Sequence, residues 1–355
     1  MSTARLLCLY MFAACQGPGG VASSSFGTSI TTALPITTTG AGSTSDGMST
    51  SSSGSTTSTG SSGEDSAASV AGSTTLVLDV GTEQDVENPQ PAGCKGKIDF
   101  LFVISRDQIM AEEQAKLVAA FPEFIETIET KFAEFDYHIM VVDADNHWGW
   151  PECTEQCPTL EGLCGMAEDY PCDHVPSACD AELGAGTIFN AGLNAPNKPC
   201  DLASGHRYIE KGQPQLVETF TCLAQVGTSG YNRLGDAVAA AVSSVMTGSG
   251  ACNEGFLRDD ALLMVTIIGP PDQDSLGKPK EWADIVIGAK NGDADSVVMF
   301  RIGSEACPVY DAACRLAKYY FQYHHLSNQT DADFGPAFEI ATDLVETACS
   351  AFIPG

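Results

Sequence analysis

Patterns of buried strands and amphipathic helices alternate along most of the chain. Residues 98–104 form a nearly continuous apolar run of strand length, which is typical of a strand buried on both faces of a sheet. Apolar positions at helical spacing follow in residues 108–132, and the next strand is predicted at 137–142. Further helices are predicted at 216–226, 234–246, 282–289, 312–324 and 337–349, and further strands at 261–268 and 296–302. This alternation predicts an α/β fold, a doubly wound, mainly parallel sheet with helices on both faces.

Residues 145–213 interrupt the alternation. The segment is rich in Gly, Pro and Asn, contains six cysteines, and is too long for an ordinary connection. Its composition predicts a loop insertion held by disulfides, and such an excursion is a candidate recognition surface. Trp148 and Trp150 near its start form a candidate ligand loop. They either provide an exposed stacking surface for a sugar or peptide, or pack beneath the bridged loop.

The first 93 residues have a different composition. Residues 1–14 carry Arg5 and then an apolar run too short to cross a bilayer, which is typical of a signal peptide. Residues 12–15 resemble a bacterial lipobox, which predicts a lipidated Cys15 as the mature N-terminus. Phe12 stands where this motif prefers Leu, so simple cleavage and release is the alternative. Residues 15–93 are mostly Ser, Thr, Gly and Ala and predict a disordered tether.

The charge balance limits the partners. The chain has 46 Asp and Glu against 17 Lys and Arg, a formal net charge of −29. The negative charge excludes nucleic acid as a partner, because phosphate binding needs a basic surface. It also disfavours anionic lipid, so the N-terminal lipid is the only membrane contact that we expect.

Fourteen cysteines are far more than a reduced cytosolic enzyme usually carries, and they predict an oxidising compartment. Loss of Cys8 with the signal peptide and lipidation of Cys15 leave twelve, an even number that fits up to six disulfides. The candidate pairs are Cys307 with Cys314 and Cys94 with Cys349. An alternative use of some cysteines is a zinc site, although it lacks a second paired element. Its ligands would be Cys172, His174 and Cys179.

Three stretches carry a family resemblance. Residues 97–110, 220–230 and 253–263 are similar to landmarks of the von Willebrand factor type A (VWA) domain of exported bacterial lipoproteins. The resemblance covers residues 94–352 and implies the α/β fold predicted above. It also implies a binding or adhesion role, in which strand-end loops engage an extracellular protein or glycan.

The VWA family holds Mg²⁺ in a metal-ion-dependent adhesion site (MIDAS), formed by an Asp-x-Ser-x-Ser loop, a Thr and a distant Asp. Hard cations prefer such oxygen ligands. In this chain the matching loop places Ser at position 105, Asp at 107 and Ile at 109. Because ligands are moved or lost, the resemblance implies a degenerate site that binds no ion. The alternative is a rearranged oxygen site for Mg²⁺ or Ca²⁺, with the candidate ligands Ser105, Asp107, Thr228 and Asp272.

No catalytic motif stands out. Residues 227–230 are one residue short of a G-x-S-x-G elbow, and the pair His324 and His325 falls in a predicted helix where packing explains it. We therefore expect a binding module, not an enzyme, exported as an outer-membrane or cell-surface lipoprotein or secreted. The alternatives are a secreted hydrolase with a catalytic cluster on its loops and a purely structural envelope protein.

Overall fold

The computed structural model describes residues 94, 96–149, 153 and 170–351. The predicted signal peptide and tether, the lipidation site Cys15, and Trp150 lie outside these residues. The described part contains eight strands: β1 Lys97–Ile104, β2 Asp136–Asp143, β3 Phe189–Asn190, β4 Lys198–Pro199, β5 Ile209–Glu210, β6 Leu262–Ile268, β7 Val297–Gly303 and β8 Tyr323–Asn328.

Six of these strands form the main sheet, in the order β5-β2-β1-β6-β7-β8. Every pairing in it is parallel except that of β5 with β2. Strands β3 and β4 pair separately. The predicted fold class, a doubly wound and mainly parallel sheet, is confirmed.

The helices cover both faces of this sheet. They are α1 Ala111–Lys131, α2 Leu216–Ala224, α3 Leu234–Val242, α4 Ser244–Thr247, α5 Pro279–Ala289, α6 Ala312–Tyr320 and α7 Gly335–Ala351. Phe100 and Phe102 of β1 pack in one core with α1, α2 and α7, whereas Leu101 and Val103 pack in a second core with α3, α5 and α6. Successive side chains of a strand point to opposite faces, so β1 supplies both cores. No described helix is long and apolar enough to cross a membrane.

The predicted helix at 312–324 is wrong in its last turn. Helix α6 ends at Tyr320, and residues 323–328 form β8, which pairs with β7. His324 and His325 therefore lie on an edge strand and not on a helix. The spacing of apolar residues in a short aromatic segment can fit either a helix or a strand. In this segment, hydrogen bonding to β7 favours the strand. The predicted helix at 234–246 is also interrupted, because Ser243 adopts an extended conformation between α3 and α4.

Disulfides join the insertion to neighbouring elements and the two ends of the domain to each other. Four bonds join Cys94 to Cys349, Cys179 to Cys252, Cys200 to Cys222 and Cys307 to Cys314. Cys153 and Cys172 are also disulfide-bonded. The zinc alternative is therefore wrong, because two of its three ligands are oxidised. Disulfides in this number indicate an oxidising, extracytoplasmic location.

Candidate functional site

The candidate site lies at the carboxyl edge of the main sheet, between β1 and β6. After β1 the chain continues to α1 on one face, and after β6 it continues to α5 on the other face. Doubly wound sheets bind ligands at the crevice where this reversal occurs. The loops at this edge, called the edge loops below, comprise residues 105–110, 144–149, 228–233, 269–278, 304–311 and 329–334.

Ser105, Asp107 and Ile109 lie in the loop between β1 and α1. Ser105 is buried, and its Oγ accepts a hydrogen bond from the backbone N of Asp107 at 3.1 Å. Asp107 caps a short 3-10 helix, because its Oδ1 accepts from the backbone N of Ile109 at 3.1 Å. The Ile109 side chain is exposed. The loop is thus closed by its own hydrogen bonds and presents an apolar side chain to solvent.

Thr228 and Asp272 are buried and already hydrogen-bonded. Thr228 Oγ1 accepts from Nδ2 of Asn194 in the insertion at 2.8 Å. Asp272 Oδ2 accepts from the backbone N of Gly235, in the first turn of α3, at 2.9 Å. Its Oδ1 accepts from the backbone N of Ser275 at 3.3 Å. These bonds fix the loop before α3 and the loop after β6.

The four candidate ligands are engaged in hydrogen bonds within the protein. Each has at least one side-chain oxygen that accepts a hydrogen bond from an N–H group, and such a donor competes with a cation for that oxygen. Within the described ranges, no group of three or more His, Cys, Asp or Glu side chains is arranged to hold a metal ion. The geometry therefore gives no support to the rearranged oxygen site.

A buried guanidinium, that of Arg106, lies in this same loop. Arg106 is 1% exposed. Its Nη1 donates to the carbonyl oxygen of His147 at 2.5 Å and lies 3.4 Å from Oδ2 of Asp143. Its Nη2 donates to the carbonyl oxygens of Gly149 at 3.2 Å and Ala191 at 3.4 Å. One positive charge therefore joins the ends of β1 and β2 to the insertion.

A second buried guanidinium, that of Arg301 on β7, joins the loops on the other side of β6. Its Nη2 donates to the carbonyl oxygen of Pro270 at 2.9 Å and lies 3.3 Å from Oδ2 of Asp311. Asp311 Oδ1 accepts from the backbone N of Asp272 at 3.3 Å. Gly303 leaves room for this group, since a Cβ there would lie 2.3 Å from Cζ of Arg301. Two internal cations thus hold the loops that flank the crevice.

Burial changes the ionisation of two carboxyl groups at this edge. Desolvation raises the pKa of Asp143 to about 7, although the charge of Arg106 opposes the rise. Desolvation also raises the pKa of Asp272 to about 6, against the hydrogen bonds from Gly235 and Ser275. The charge of the candidate site therefore changes close to neutral pH.

A small pocket adjoins Arg106 and Asp143. Its volume of about 20 Å³ has room for one water molecule. A second ion pair lies in its wall, where Nη2 of Arg207 donates to Oδ1 of Asp180 at 2.6 Å. Because the lining is charged and the pocket is small, it does not suit an apolar ligand.

The hypothesis of an exposed stacking surface is wrong for Trp148. Its side chain is 8% exposed, and its Nε1 donates to the carbonyl oxygen of Phe189 at 2.8 Å. Its ring packs against Phe189, His174 and Tyr170. Trp148 therefore forms a small core beneath the insertion, because burial of the large ring and satisfaction of its N–H coincide there. Trp150 lies outside the described residues.

Exposed apolar side chains occur on four of the edge loops. They form what we call the edge surface, whose exposed fractions are 56% for Ile109, 57% for Tyr231, 84% for Leu276, 84% for Val309 and 59% for Tyr310. Hydrogen bonds connect these loops: Gly230 N donates to Arg106 O at 3.1 Å, and Asn232 N donates to Asp274 Oδ2 at 3.0 Å. The edge surface is therefore displayed from a hydrogen-bonded base.

One histidine at this edge has a carboxylate partner. Nδ1 of His147 lies 2.8 Å from Oδ1 of Asp145, and the side chain of His147 is 42% exposed. Tyr231 lies beside it, with ring centroids 6.0 Å apart. A partly exposed His–Asp pair is the arrangement that a general base needs. No hydrogen bond in the described part of the chain joins this imidazole to a Ser or Cys nucleophile.

Sequence reasoning missed Arg106 and Arg301. Both stand in or directly after apolar strand runs, at 98–104 and 296–302, and arginine is almost never fully buried unless it is paired. That rule alone would have indicated buried acceptors for both side chains. It does not name the acceptors, because most of them are backbone carbonyls of distant loops.

Comparisons with known proteins add little beyond the fold. No protein-family model matches the chain, and no curated protein matches it. Solved structures with a similar backbone include proximal thread matrix protein 1 from the mussel byssus and the same protein with a zinc-occupied MIDAS motif. In both cases the identity is 12%, the match covers 73% of this chain and 47% of the mussel chain, and the TM-scores are 0.32 and 0.31. The chain thus spans about half the length of these relatives, and likeness at this level transfers neither a ligand nor an activity.

Proposed function

We propose that this chain is an extracytoplasmic binding or adhesion module that engages a protein or glycan through its edge loops without a metal ion. The observation that carries this is the edge surface itself. Aliphatic and aromatic side chains are solvent-exposed on loops held by buried ion pairs and a disulfide. A partner that binds the edge loops would bury these five side chains, and exposed apolar groups gathered at one edge of a domain favour an interaction surface there.

The rest of the proposal concerns attachment. A lipid on Cys15 and the Ser/Thr/Gly-rich segment that follows it would tether the module to a membrane, with release as a secreted protein as the alternative. The net charge of −29 supports an encounter with partners other than nucleic acid or an anionic lipid surface.

The binding role is tested by comparing two triple variants in capture of partners from an envelope and secreted-protein fraction. One carries Ile109→Ser, Leu276→Ser and Val309→Ser at the edge surface. The matched control carries Val245→Ser, Ile285→Ser and Ile340→Ser, which are exposed apolar residues on helices. We expect the edge variant to lose a partner that the wild type and the control both retain. Equal capture by all three proteins would refute a role for the edge loops.

Independence from metal is tested by titrating the purified protein with Mg²⁺, Mn²⁺ and Ca²⁺ in a calorimeter. We expect no saturable heat, because N–H donors already occupy oxygens of all four candidate ligands. Low-micromolar binding that disappears in Asp107→Ala would show that the site takes an ion after all.

A hydrolase remains the second candidate function, and the His147–Asp145 pair favours it. A screen against ester, glycoside and peptide substrates tests it. Turnover by the wild type that is lost in His147→Ala would establish the enzyme, whereas we expect the two proteins to be equally inactive.

A further inference from the structure

We infer that the partner of the edge surface is a protein segment that combines apolar side chains with lysine or arginine. This inference rests on the proposed function and adds the chemistry of the partner. It follows from two properties of the edge loops, their apolar residues and their uncompensated negative charge.

The apolar residues favour a protein over a glycan. Three of the five members of the edge surface are aliphatic: Ile109, Leu276 and Val309. Sugar rings stack on flat aromatic faces, whereas branched aliphatic side chains pack against other aliphatic or aromatic side chains. The two tyrosines, Tyr231 and Tyr310, suit either kind of partner. The composition as a whole therefore fits a peptide or protein surface.

Two sets of carboxylates lie at this edge, besides Asp145 and Asp272, which accept hydrogen bonds from neighbouring backbone N–H groups. The inner carboxylates, Asp143 and Asp311, are paired with the buried guanidiniums of Arg106 and Arg301. The outer carboxylates are at least partly exposed, and none of them forms an ion pair with another described residue. These outer carboxylates are Asp107, Asp274, Glu305, Asp331 and Asp333.

Cations at this edge do not balance the five outer carboxylates. Lys278 is exposed, and Nη1 of Arg315 on α6 donates to the carbonyl oxygen of Val309 at 3.3 Å. Arg233 is paired with Asp236, and Lys116, which reaches the carbonyl oxygen of Gln329, is paired with Glu112. Apolar side chains thus share these loops with an excess of negative charge. A partner that buries the apolar side chains must bring positive charge to the outer carboxylates, since like charges brought together at an interface cost free energy.

The same charge argues against a second copy of this chain as the occupant. A two-fold contact through the edge surface would place the outer carboxylates of one copy against those of the other. With a net charge of −29 on each copy, repulsion would oppose the encounter as well.

The inference is tested with four synthetic 15-residue peptides as probes, measured against the purified protein by fluorescence anisotropy. Three of the peptides contain Leu and Tyr together with one further residue type, which is Lys in the first, Glu in the second and Ser in the third. The fourth peptide contains only Lys and Ser. We expect measurable binding of the Leu/Tyr/Lys peptide, and binding at least about ten-fold weaker for each of the other three. Sedimentation of the protein alone reports self-association.

Two isosteric triple variants separate a local effect from the overall charge. The edge charge variant carries Asp274→Asn, Glu305→Gln and Asp333→Asn, and the control carries Glu126→Gln, Glu218→Gln and Glu346→Gln on exposed helix positions. We expect the Leu/Tyr/Lys peptide to bind the edge charge variant about ten-fold more weakly and the control within about two-fold of wild type.

Three outcomes overturn the inference. If the Leu/Tyr/Lys peptide binds both charge variants equally weakly, the peptide responds only to the net charge of the protein. Preference for the Leu/Tyr/Glu or Leu/Tyr/Ser peptide, abolished by the apolar triple variant at the edge, would leave the binding surface in place and refute the cationic partner. Self-association that the apolar triple variant removes would assign the surface to a second copy.

Discussion

At the scale of single residues, two buried arginines hold the loops at the carboxyl edge of the sheet. Each places a positive charge among loop carbonyls and one carboxylate at the carboxyl edge. A buried charge is costly unless it is paired and hydrogen-bonded. The Nη atoms of both groups are paired in this way, whereas the Nε atom of each has no partner among the described residues. Both guanidiniums therefore hold the loops at this edge through their Nη atoms.

Replacement of Arg106 by Met is expected to lower the free energy of unfolding by about 3 kcal/mol, because it leaves Asp143 and three carbonyl oxygens without their donor. Urea unfolding measures the loss, and limited proteolysis reports cleavage within 170–213. Arg106→Lys is expected to restore only part of the stability, because an ammonium cannot span both groups of acceptors.

The control is Arg315→Met, which removes a partly exposed guanidinium whose one side-chain hydrogen bond is to the carbonyl oxygen of Val309. We expect it to change the free energy of unfolding by less than about 0.5 kcal/mol. Equal effects at the two positions would contradict a special role for Arg106.

Asp143 is expected to make stability depend on pH. Its pKa is about 7 in the folded protein against 3.8 ordinarily, so between about pH 4 and pH 7 the folded state holds a proton that the unfolded chain releases. The free energy of unfolding therefore rises as pH falls through this window. Asp272 and Asp99, with pKa values raised to about 6, act in the same direction.

Burial lowers the pKa of His138 and of His325, so these two groups make the folded protein less stable as pH falls. Because they do so equally in the wild type and in Asp143→Asn, the difference between the two proteins reports Asp143 alone. We expect the rise in unfolding free energy from pH 7.5 to pH 5 to be about 1–2 kcal/mol smaller in the variant. Urea titrations at the two pH values measure it. A variant that keeps the full wild-type rise would show that Asp143 does not titrate there.

The limits of sequence reasoning are also clearest at single residues. The family resemblance suggested Ser105, Asp107, Thr228 and Asp272 as neighbours at one edge of the sheet, and the structure places all four in or beside the loops of that edge. Ser105 and Asp107 accept hydrogen bonds from amides two residues away. Thr228 and Asp272 accept from Asn194 and Gly235, which are 34 and 37 residues away, and the sequence could not reveal these distant contacts. Arg106 was overlooked for the same reason.

At the scale of elements, apolar periodicity predicted the central strands and the long helices. Strands β1, β2, β6 and β7 are buried on both faces, so most residues in them are apolar and the signal is strong. Edge strands give a weaker signal. Only two residues of β5 pair with β2, and β8 carries two histidines that are only partly buried. Their pairing depends on a neighbouring strand and not on their own sequence.

The insertion shows how much the cysteines alone could reveal. Their number predicted a bridged loop, and the bonds to Cys252 and Cys222 join it to the loop after α4 and to α2. The small core around Trp148 was left open between two alternatives, because a tryptophan in a Gly/Pro-rich loop has no periodic context that fixes its burial.

At the scale of the whole molecule, the bond between Cys94 and Cys349 closes nearly the entire described domain into one covalent ring. Its sequence separation is 255, against 7 for Cys307 and Cys314. Cross-linking distant residues restricts the unfolded chain more, so we expect Cys94→Ala with Cys349→Ala to lose about 5 kcal/mol and Cys307→Ala with Cys314→Ala about 2.5 kcal/mol. Urea unfolding without reductant measures both losses. A larger loss in the second variant would contradict this ranking.

The Cys94–Cys349 bond also has a mechanical consequence. Cys94 precedes the amino end of β1, whereas the edge loops begin at the opposite end of that strand. A pull between a partner on the edge surface and the chain ahead of Cys94 therefore runs along β1, whose hydrogen bonds to β2 and β6 on both sides are loaded in shear. The disulfide passes part of the same force into the last turns of α7, so two elements resist the pull in parallel.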